Sequence, residues 1–242
     1  MNGYLYVATR SYKFYLSACY SAESLKDYYP DANITLFTHK EWVDVKAHAF
    51  DNIVTEDVPN SVRAKMWGMA RTPYENTLYI DADTEICHSD IKNVFDHQDS
   101  DHDLVMTEVR KYAHAITEFP GGKFKWHCGI CLYNNKPKTI EFMQAWYDMW
   151  QKQRSQITNK TWDLDNKLFP KNKLVHWDTW GFWRLLNLEG WDERIKVKGF
   201  NDNHARWNFH NLKQEELEGS EIVILHHTLQ WRYNTTPWEF QK

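Results

Sequence analysis

The stretch Thr77-Leu-Tyr-Ile-Asp81-Ala-Asp83-Thr-Glu85 constrains the fold of this chain more than any other. Residues suited to a buried strand run without a break into two carboxylates spaced two apart. The apolar part belongs inside. The carboxylates emerge where the strand's carboxyl end meets solvent, the edge at which ligands bind in open α/β sheets. On an extended backbone Asp81 and Asp83 lie on one side, so their oxygens can share one hard cation. Such a cation would neutralise a diphosphate and improve it as a leaving group. A turn with solvated carboxylates is the plainer alternative, and Asp-x-Asp alone does not separate the two.

The surrounding pattern alternates strands with helices. Tyr4 to Ala8 reads as a first strand, and Tyr12 to Tyr29 as an amphipathic helix stopped by Pro30. Asn33 to Thr38 and Asp51 to Thr55 read as strands, Val62 to Ala70 as a helix, and Thr77 to Asp81 as the next strand. Farther on, 102–107, 127–133, 195–198 and 221–225 read as strands, and Lys138 to Ile157 and Trp177 to Leu188 as helices. This order predicts an α/β fold with a mainly parallel central sheet flanked by helices. With no internal repeat, low-complexity tract or linker, the 242 residues are expected to form one domain.

Composition excludes several classes. A net charge of −4 offers no overall basic field for nucleic acid or an anionic membrane. No apolar run approaches the roughly 20 residues needed to span a bilayer, and the N-terminus lacks the pattern of a signal peptide. Four cysteines are too few for a disulfide scaffold, so a soluble, cytoplasmic, reducing setting is expected. Compactness of this kind would suit a viral or bacterial source.

Several segments resemble, in order, those of GT-A glycosyltransferases, nucleotide-diphospho-sugar transferases with a Rossmann-like fold. The likeness is greatest to glycosyltransferase family 8, which includes glycogenin and bacterial lipopolysaccharide galactosyl- and glucosyltransferases. Arg63-Ala-Lys65-Met-Trp67, a Pro turn and the strand into Asp81-Ala82-Asp83 are similar to that family's metal-binding region. Trp126-His127-Cys128-Gly129-Ile130 is similar to its Phe-Asn-x-Gly strand, with His127 in place of Asn. His176-Trp177-Asp178-Thr179 resembles its Asp-Gln segment, and Arg206-Trp207-Asn208 a Trp-Asn near the acceptor side. Ile222 to Thr228 resembles the strand whose His completes the metal shell, and Pro237-Trp238 echoes a terminal Lys-Pro-Trp, with Thr236 for Lys.

The resemblance implies a metal-dependent hexosyltransferase that moves a sugar, with retention, from a UDP-sugar to a carbohydrate or other hydroxyl-bearing acceptor. It implies a donor-binding half over about 1–110 and an acceptor-side, metal-completing half over about 111–242. Asp81, Asp83 and His226 would hold Mn²⁺ or Mg²⁺, while Ala8, Thr9 and Arg10 cradle the nucleoside. Lys65, Ala82, His127, Cys128 and Gly129 would face the donor, and Asp178, with Asp83 the expected catalytic carboxylate, would grip sugar hydroxyls.

Other conspicuous residues carry alternatives. His226 and His227 end an apolar run, so one points inward and the other away; His226, first past the strand, is the favoured ligand. An imidazole beside two carboxylates suits Mn²⁺ better than Ca²⁺. Cys128-Gly-Ile-Cys131 matches Cys-x-x-Cys but sits in a strand pattern, which favours packed thiols. Asp81-Ala-Asp83-Thr84 also fits the Asp-x-Asp-x-Thr loop of haloacid-dehalogenase-type phosphatases, and a non-catalytic sugar-binding module is a third reading. Trp146 and Trp150, four apart, read as core, whereas Trp177, Trp180, Trp183 and Trp207 lie beside expected sugar-facing residues and could stack on a sugar. Lys123, Lys125, Lys136 and Lys138 read as a solvated face, with a nucleic-acid acceptor as the less favoured alternative.

Overall fold

The computed structural model describes residues 1–109, 118–119, 122–123, 125–159, 178–209 and 214–227. Its strands and helices, in chain order, are β1 (Asn2–Ala8), α1 (Tyr12–Tyr28), β2 (Ile34–Thr38), β3 (Asn52–Val54), α2 (Lys65–Met69), β4 (Asn76–Ile80), β5 (Thr84–Ile86) and β6 (Leu104–Glu108). There follow β7 (Glu118–Phe119), β8 (Gly122–Lys123), β9 (Trp126–Asn134), α3 (Pro137–Asn159), α4 (Asp178–Leu188), β10 (Val197–Gly199) and β11 (Ile224–His226). No helix among them is long and apolar enough to cross a membrane.

Among the described residues the central sheet has seven strands in the order β10-β6-β9-β4-β1-β2-β3. β1 runs parallel to β2 and β4, β2 to β3, and β10 to β6. Only β9 runs antiparallel, wedged between β4 and β6. The mixed α/β, mainly parallel architecture is therefore as the alternation of elements predicts. Side chains alternate across the sheet as a pleat requires. Tyr4, Tyr6, Leu78 and Ile80 pack with Ala18, Ala22 and Leu25 of α1 on one face. Leu5, Tyr79 and Tyr133 pack with Met66, Phe142, Trp146 and Phe182 on the other.

Local chemistry sets the element ends. Ser11 caps α1 by accepting a hydrogen bond from the Lys13 amide. α2 is shorter than the expected 62–70, because Ser61 engages its neighbours: its Oγ accepts from the Arg63 amide and its carbonyl from the Ala64 amide. Such bonds compete with the helical ladder. At the other end of the sheet, Asn134 Oδ1 accepts from the Lys136 amide and Thr139 Oγ1, closing the turn from β9 into α3, where Pro137 is the first helical residue.

Two irregularities shape the sheet's edge. The β6–β9 register jumps from Met106↔Cys131 to Thr107↔His127, a bulge spanning Cys128, Gly129 and Ile130. The chain also turns after Asp83 into β5, which pairs antiparallel with β11 in the register His226↔Thr84, Leu225↔Glu85 and Ile224↔Ile86. β5 was not anticipated, and β11 covers 224–226 rather than 221–225, so His226 closes the strand instead of following it.

Trp146 and Trp150 are core residues, as their spacing predicts. The Trp146 ring packs edge-on against Phe182 at 4.9 Å, and its Nε1 donates to the Asp178 carbonyl at 2.8 Å, anchoring the first residue of α4. Trp146→Phe strips that buried carbonyl of a donor and leaves a small void. It is expected to lower stability by about 2 kcal/mol, read as a lower urea midpoint at unchanged slope.

Candidate active site

β4 delivers Asp81 to the carboxyl edge of the sheet, where the surroundings fix each carboxylate oxygen differently. Oδ1 accepts from the Tyr79 hydroxyl at 2.5 Å and lies 3.2 Å from Lys65 Nζ. Oδ2 lies 4.0 Å from His226 Nε2 and 3.4 Å from Lys65 Nζ. The turn is held by the Asp81 amide, which donates to the Gly129 carbonyl, and by Thr84 Oγ1, which donates to the Asp81 carbonyl. Burial, then the charge of Asp81, pushes the Tyr79 phenol well above its ordinary value, so it stays a donor.

The β5–β11 ladder carries His226 from the far end of the chain to this turn. His226 Nε2 is 3.3 Å from Asp83 Oδ1, and ligand-capable atoms of Asp81, Asp83 and His226 all lie within 4.8 Å of one another. Two carboxylates and one imidazole suit a divalent cation of the Mn²⁺ or Mg²⁺ type. The floor beneath them supports that fit. A Cβ on Gly129 would meet His226 Cε1 at 2.8 Å, His127 Cε1 at 2.9 Å and Asp81 Oδ2 at 3.0 Å, so only glycine leaves this cradle open. Burial pushes the Asp83 carboxyl up, but the His226 ring and Lys65 pull it further down, so it is held as a carboxylate.

His227 faces away, its Nε2 3.1 Å from Glu85 Oε2 and its amide donating to the Asp83 carbonyl. Of the tandem pair, His226 is the one that meets the carboxylates.

Beyond Asp81 the charges continue in alternation. Lys65 Nζ, buried, lies 2.6 Å from Asp178 Oδ2 and donates to the Cys128 carbonyl at 2.9 Å. Arg63 Nη1 approaches the other Asp178 oxygen at 3.4 Å. Burial opposes charge on both Lys65 and Asp178, yet their mutual attraction wins. The ammonium is held above its usual value, and Arg63 with Lys65 holds the Asp178 carboxyl well below the ordinary carboxylate range. Thus Lys65, Asp81, Asp83, Cys128, Gly129, Asp178 and His226 all come together. Ala82, buried, lies between the two aspartates.

His127 joins them from the bulge: its Nδ1 accepts from the Gly129 amide at 3.1 Å and meets Asn208 Nδ2 at 2.8 Å. Asn208 lies beside the two imidazoles. Ala8, Thr9 and Arg10 share the carboxyl edge of the sheet but belong to the neighbouring strand. Thr38 Oγ1 donates to the Ala8 carbonyl, Thr9 Oγ1 donates to the Ser61 carbonyl, and Arg10 takes a left-handed φ of 76°. Such strain in a non-glycine residue concentrates at functional loops.

Two expectations need correction. Trp180, Trp183 and Trp207 are buried, Trp207 stacked on Phe200 at 5.0 Å, so none offers a face to a sugar. Trp177 lies outside the described residues, as do Thr236, Pro237 and Trp238. The second concerns residues passed over. Arg63 shares the Asp178 carboxylate with Lys65; its place two residues ahead of Lys65 was the available signal. Cys128 and Cys131 are buried free thiols, and burial raises both above their ordinary value, so neither is poised for redox or metal chemistry.

Asp178→Asn removes the carboxylate and leaves Lys65 buried with, among the described residues, only Asp81 as a charged partner. It is expected to destabilise the protein by about 3 kcal/mol near pH 7. Because the folded carboxyl is held low, its contribution is full above the ordinary carboxylate pKa of about 3.9 and fades as pH falls through the folded value. Urea midpoints of wild type and variant should therefore converge on acidification below about pH 4.

No protein-family model and no curated protein sequence matches this chain. Solved structures do. The chain is similar to the galactosyltransferase LgtC, solved with donor and acceptor sugar analogues, at 14% identity and a TM-score of 0.50 over 94% of this chain and 87% of that one. It is similar to the glycosyltransferase GlyE of Streptococcus pneumoniae at 14% identity and a TM-score of 0.57, covering 99% of this chain but 62% of GlyE. A glycosyltransferase involved in glycosylating the major capsid of PBCV-1 matches at 11% identity and a TM-score of 0.51, over 93% of this chain and 91% of that one. The chain thus has the GT-A fold that these glycosyltransferases share.

Proposed function

We propose that the protein is a metal-dependent hexosyltransferase of the family 8 type, moving a sugar from a nucleotide-diphosphate donor, a UDP-sugar, to a carbohydrate or other hydroxyl-bearing acceptor. The observation that carries this reading is the convergence of Asp81, Asp83 and His226 at the end of β4, beside the Lys65–Asp178 pair, on a GT-A fold. On this reading residues 1–242 act as one domain, 1–110 chiefly for the donor and 111–242 for the acceptor and the last metal ligand.

Asp81, Asp83 and His226 would hold Mn²⁺ or Mg²⁺. Bound there, the ion supplies Lewis-acid stabilisation of the departing nucleoside diphosphate. The chain's own residues do the rest. Ala8, Thr9 and Arg10 cradle the nucleoside, Arg10 already held in its strained conformation. The Lys65 ammonium is a fixed cation whose partners keep it charged, so it needs no reorganisation as negative charge grows on the phosphates. Ala82, His127, Cys128 and Gly129 line the donor's path, Gly129 by leaving room. Asp178 is kept ionised by Arg63 and Lys65. As an acceptor of sugar hydroxyl protons it orients the reacting ring, and its charge favours positive character at the anomeric carbon. Retention of configuration is part of the family likeness and goes with this arrangement of a carboxylate beside the donor sugar.

Asp81 is poorly set up for the phosphatase alternative, since Tyr79 and Lys65 hold one of its oxygens and blunt it as a nucleophile.

Thermal shifts against a panel of nucleoside diphosphates, with and without Mn²⁺, test the reading. At about 100 times its Kd, UDP with Mn²⁺ should raise Tm by roughly 5–10 °C, and Asp83→Ala should abolish the Mn²⁺-dependent part. A Tm that no nucleotide moves would overturn it. Turnover of a model phosphomonoester without nucleotide would select the phosphatase, and glycan binding without metal or nucleotide the sugar-binding module.

A further inference from the structure

Two histidines, His127 and His226, stand with rings perpendicular and centroids 5.6 Å apart, and one asparagine joins them. Asn208 is 2% exposed. Its Oδ1 lies 2.8 Å from His226 Nδ1, and its Nδ2 lies 2.8 Å from His127 Nδ1 and 3.0 Å from Thr107 Oγ1. The segment before it is pinned by Arg206, which reaches Asp90 at 2.6 Å and Asp202 at 3.0 Å.

The direction of the amide follows from a neighbour whose role is unambiguous. The Gly129 amide is a donor, and it points at His127 Nδ1 at 3.1 Å. That nitrogen therefore presents a lone pair, and the Asn208 atom facing it must be the NH₂ group. The carbonyl end then faces His226, whose Nδ1 must carry the proton. With Nδ1 engaged by Asn208, Nε2 is the His226 nitrogen turned toward Asp83, 3.3 Å away, and the one placed to meet a cation.

We propose that Asn208 is a positioning residue for His226: held at its NH₂ end by His127 and Thr107, it accepts from His226 Nδ1 through its carbonyl and so presents Nε2 of that ring to the cation. This rests on the reading of Asp81, Asp83 and His226 as a cation site. Orientation of a ligating imidazole through its second nitrogen commonly changes metal affinity 10–100-fold.

The test uses the full chain. Imidazole nitrogen NMR of the metal-free, ¹⁵N-labelled protein above pH 7.5, assigned with His127→Gln and His226→Gln, should find a proton on Nδ1 of His226. Asn208→Asp replaces the donor end with an acceptor. It keeps an acceptor opposite His226 Nδ1, so it should leave His226 unchanged and keep Mn²⁺ affinity no weaker than wild type. Asn208→Leu, which removes both partners, should weaken Mn²⁺ binding about 10–100-fold. An unprotonated Nδ1 on His226 in the wild type would overturn the proposal, as would Asn208→Asp losing as much Mn²⁺ affinity as Asn208→Leu. A protonated Nδ1 on His226 in a wild-type protein that binds no Mn²⁺ would support the positioning role and count against the transferase reading instead.

Discussion

The buried ammonium of Lys65 is the contact on which the arrangement of the site depends. It opens α2, lies between Asp178 at the start of α4 and Asp81 at the end of β4, and donates to the carbonyl of Cys128 in the β9 bulge. Four elements are thus tied to one point charge. Taking that charge out of water is costly unless its partners are close and well aimed. The 2.6 Å pair with Asp178 and the backbone carbonyl meet that requirement, and Arg63 balances the carboxylate from its other side. The row Arg63, Asp178, Lys65, Asp81 alternates in sign, so each group is held ionised by the next. The same row leaves the second oxygen of Asp81, with Asp83 and His226, turned toward the cation site.

The fold was legible because its signals are local and periodic. The apolar strand feeding Asp81 and Asp83, the Pro30 stop after α1 and the Trp146–Trp150 spacing each record an environment within a few residues. Most of the site residues were legible for a related reason, since the carboxylates and Lys65 sit in compact motifs. What escaped is what depends on distant pairing. β5 is three residues long and exists because β11 pairs with it. The bulge at Cys128–Ile130 arises because β9 must satisfy β4 on one edge and β6 on the other. Trp180, Trp183 and Trp207 looked sugar-facing from their sequence neighbours, yet all three indoles are buried. Proximity along the chain is a poor guide to which face of an element a side chain takes.

Asn208 shows the same limit at the level of a single atom. Nothing near it in the sequence marks a link to His127 or His226. The link exists because Phe209 pairs with Leu225 in an isolated bridge, which sets Asn208 beside the end of β11. Its contacts are out of proportion to its size: one amide, its NH₂ end against His127, turns its carbonyl end to the ring that meets Asp83.

The tandem His226-His227 also works as a vernier on the β5–β11 ladder. Successive strand residues face opposite sides, so sliding β11 by one position would exchange every side chain across the ladder. In the observed register one imidazole meets Asp83 and the other meets Glu85, so both carboxylates find a partner at once. These pairs add to the buried Ile224, the Phe209–Leu225 bridge and the His227 amide bond to Asp83 in holding so short a strand in line. The two histidines and two acids therefore act as a coding pair, and the reading frame of the ladder is checked by the same charges that shape the site.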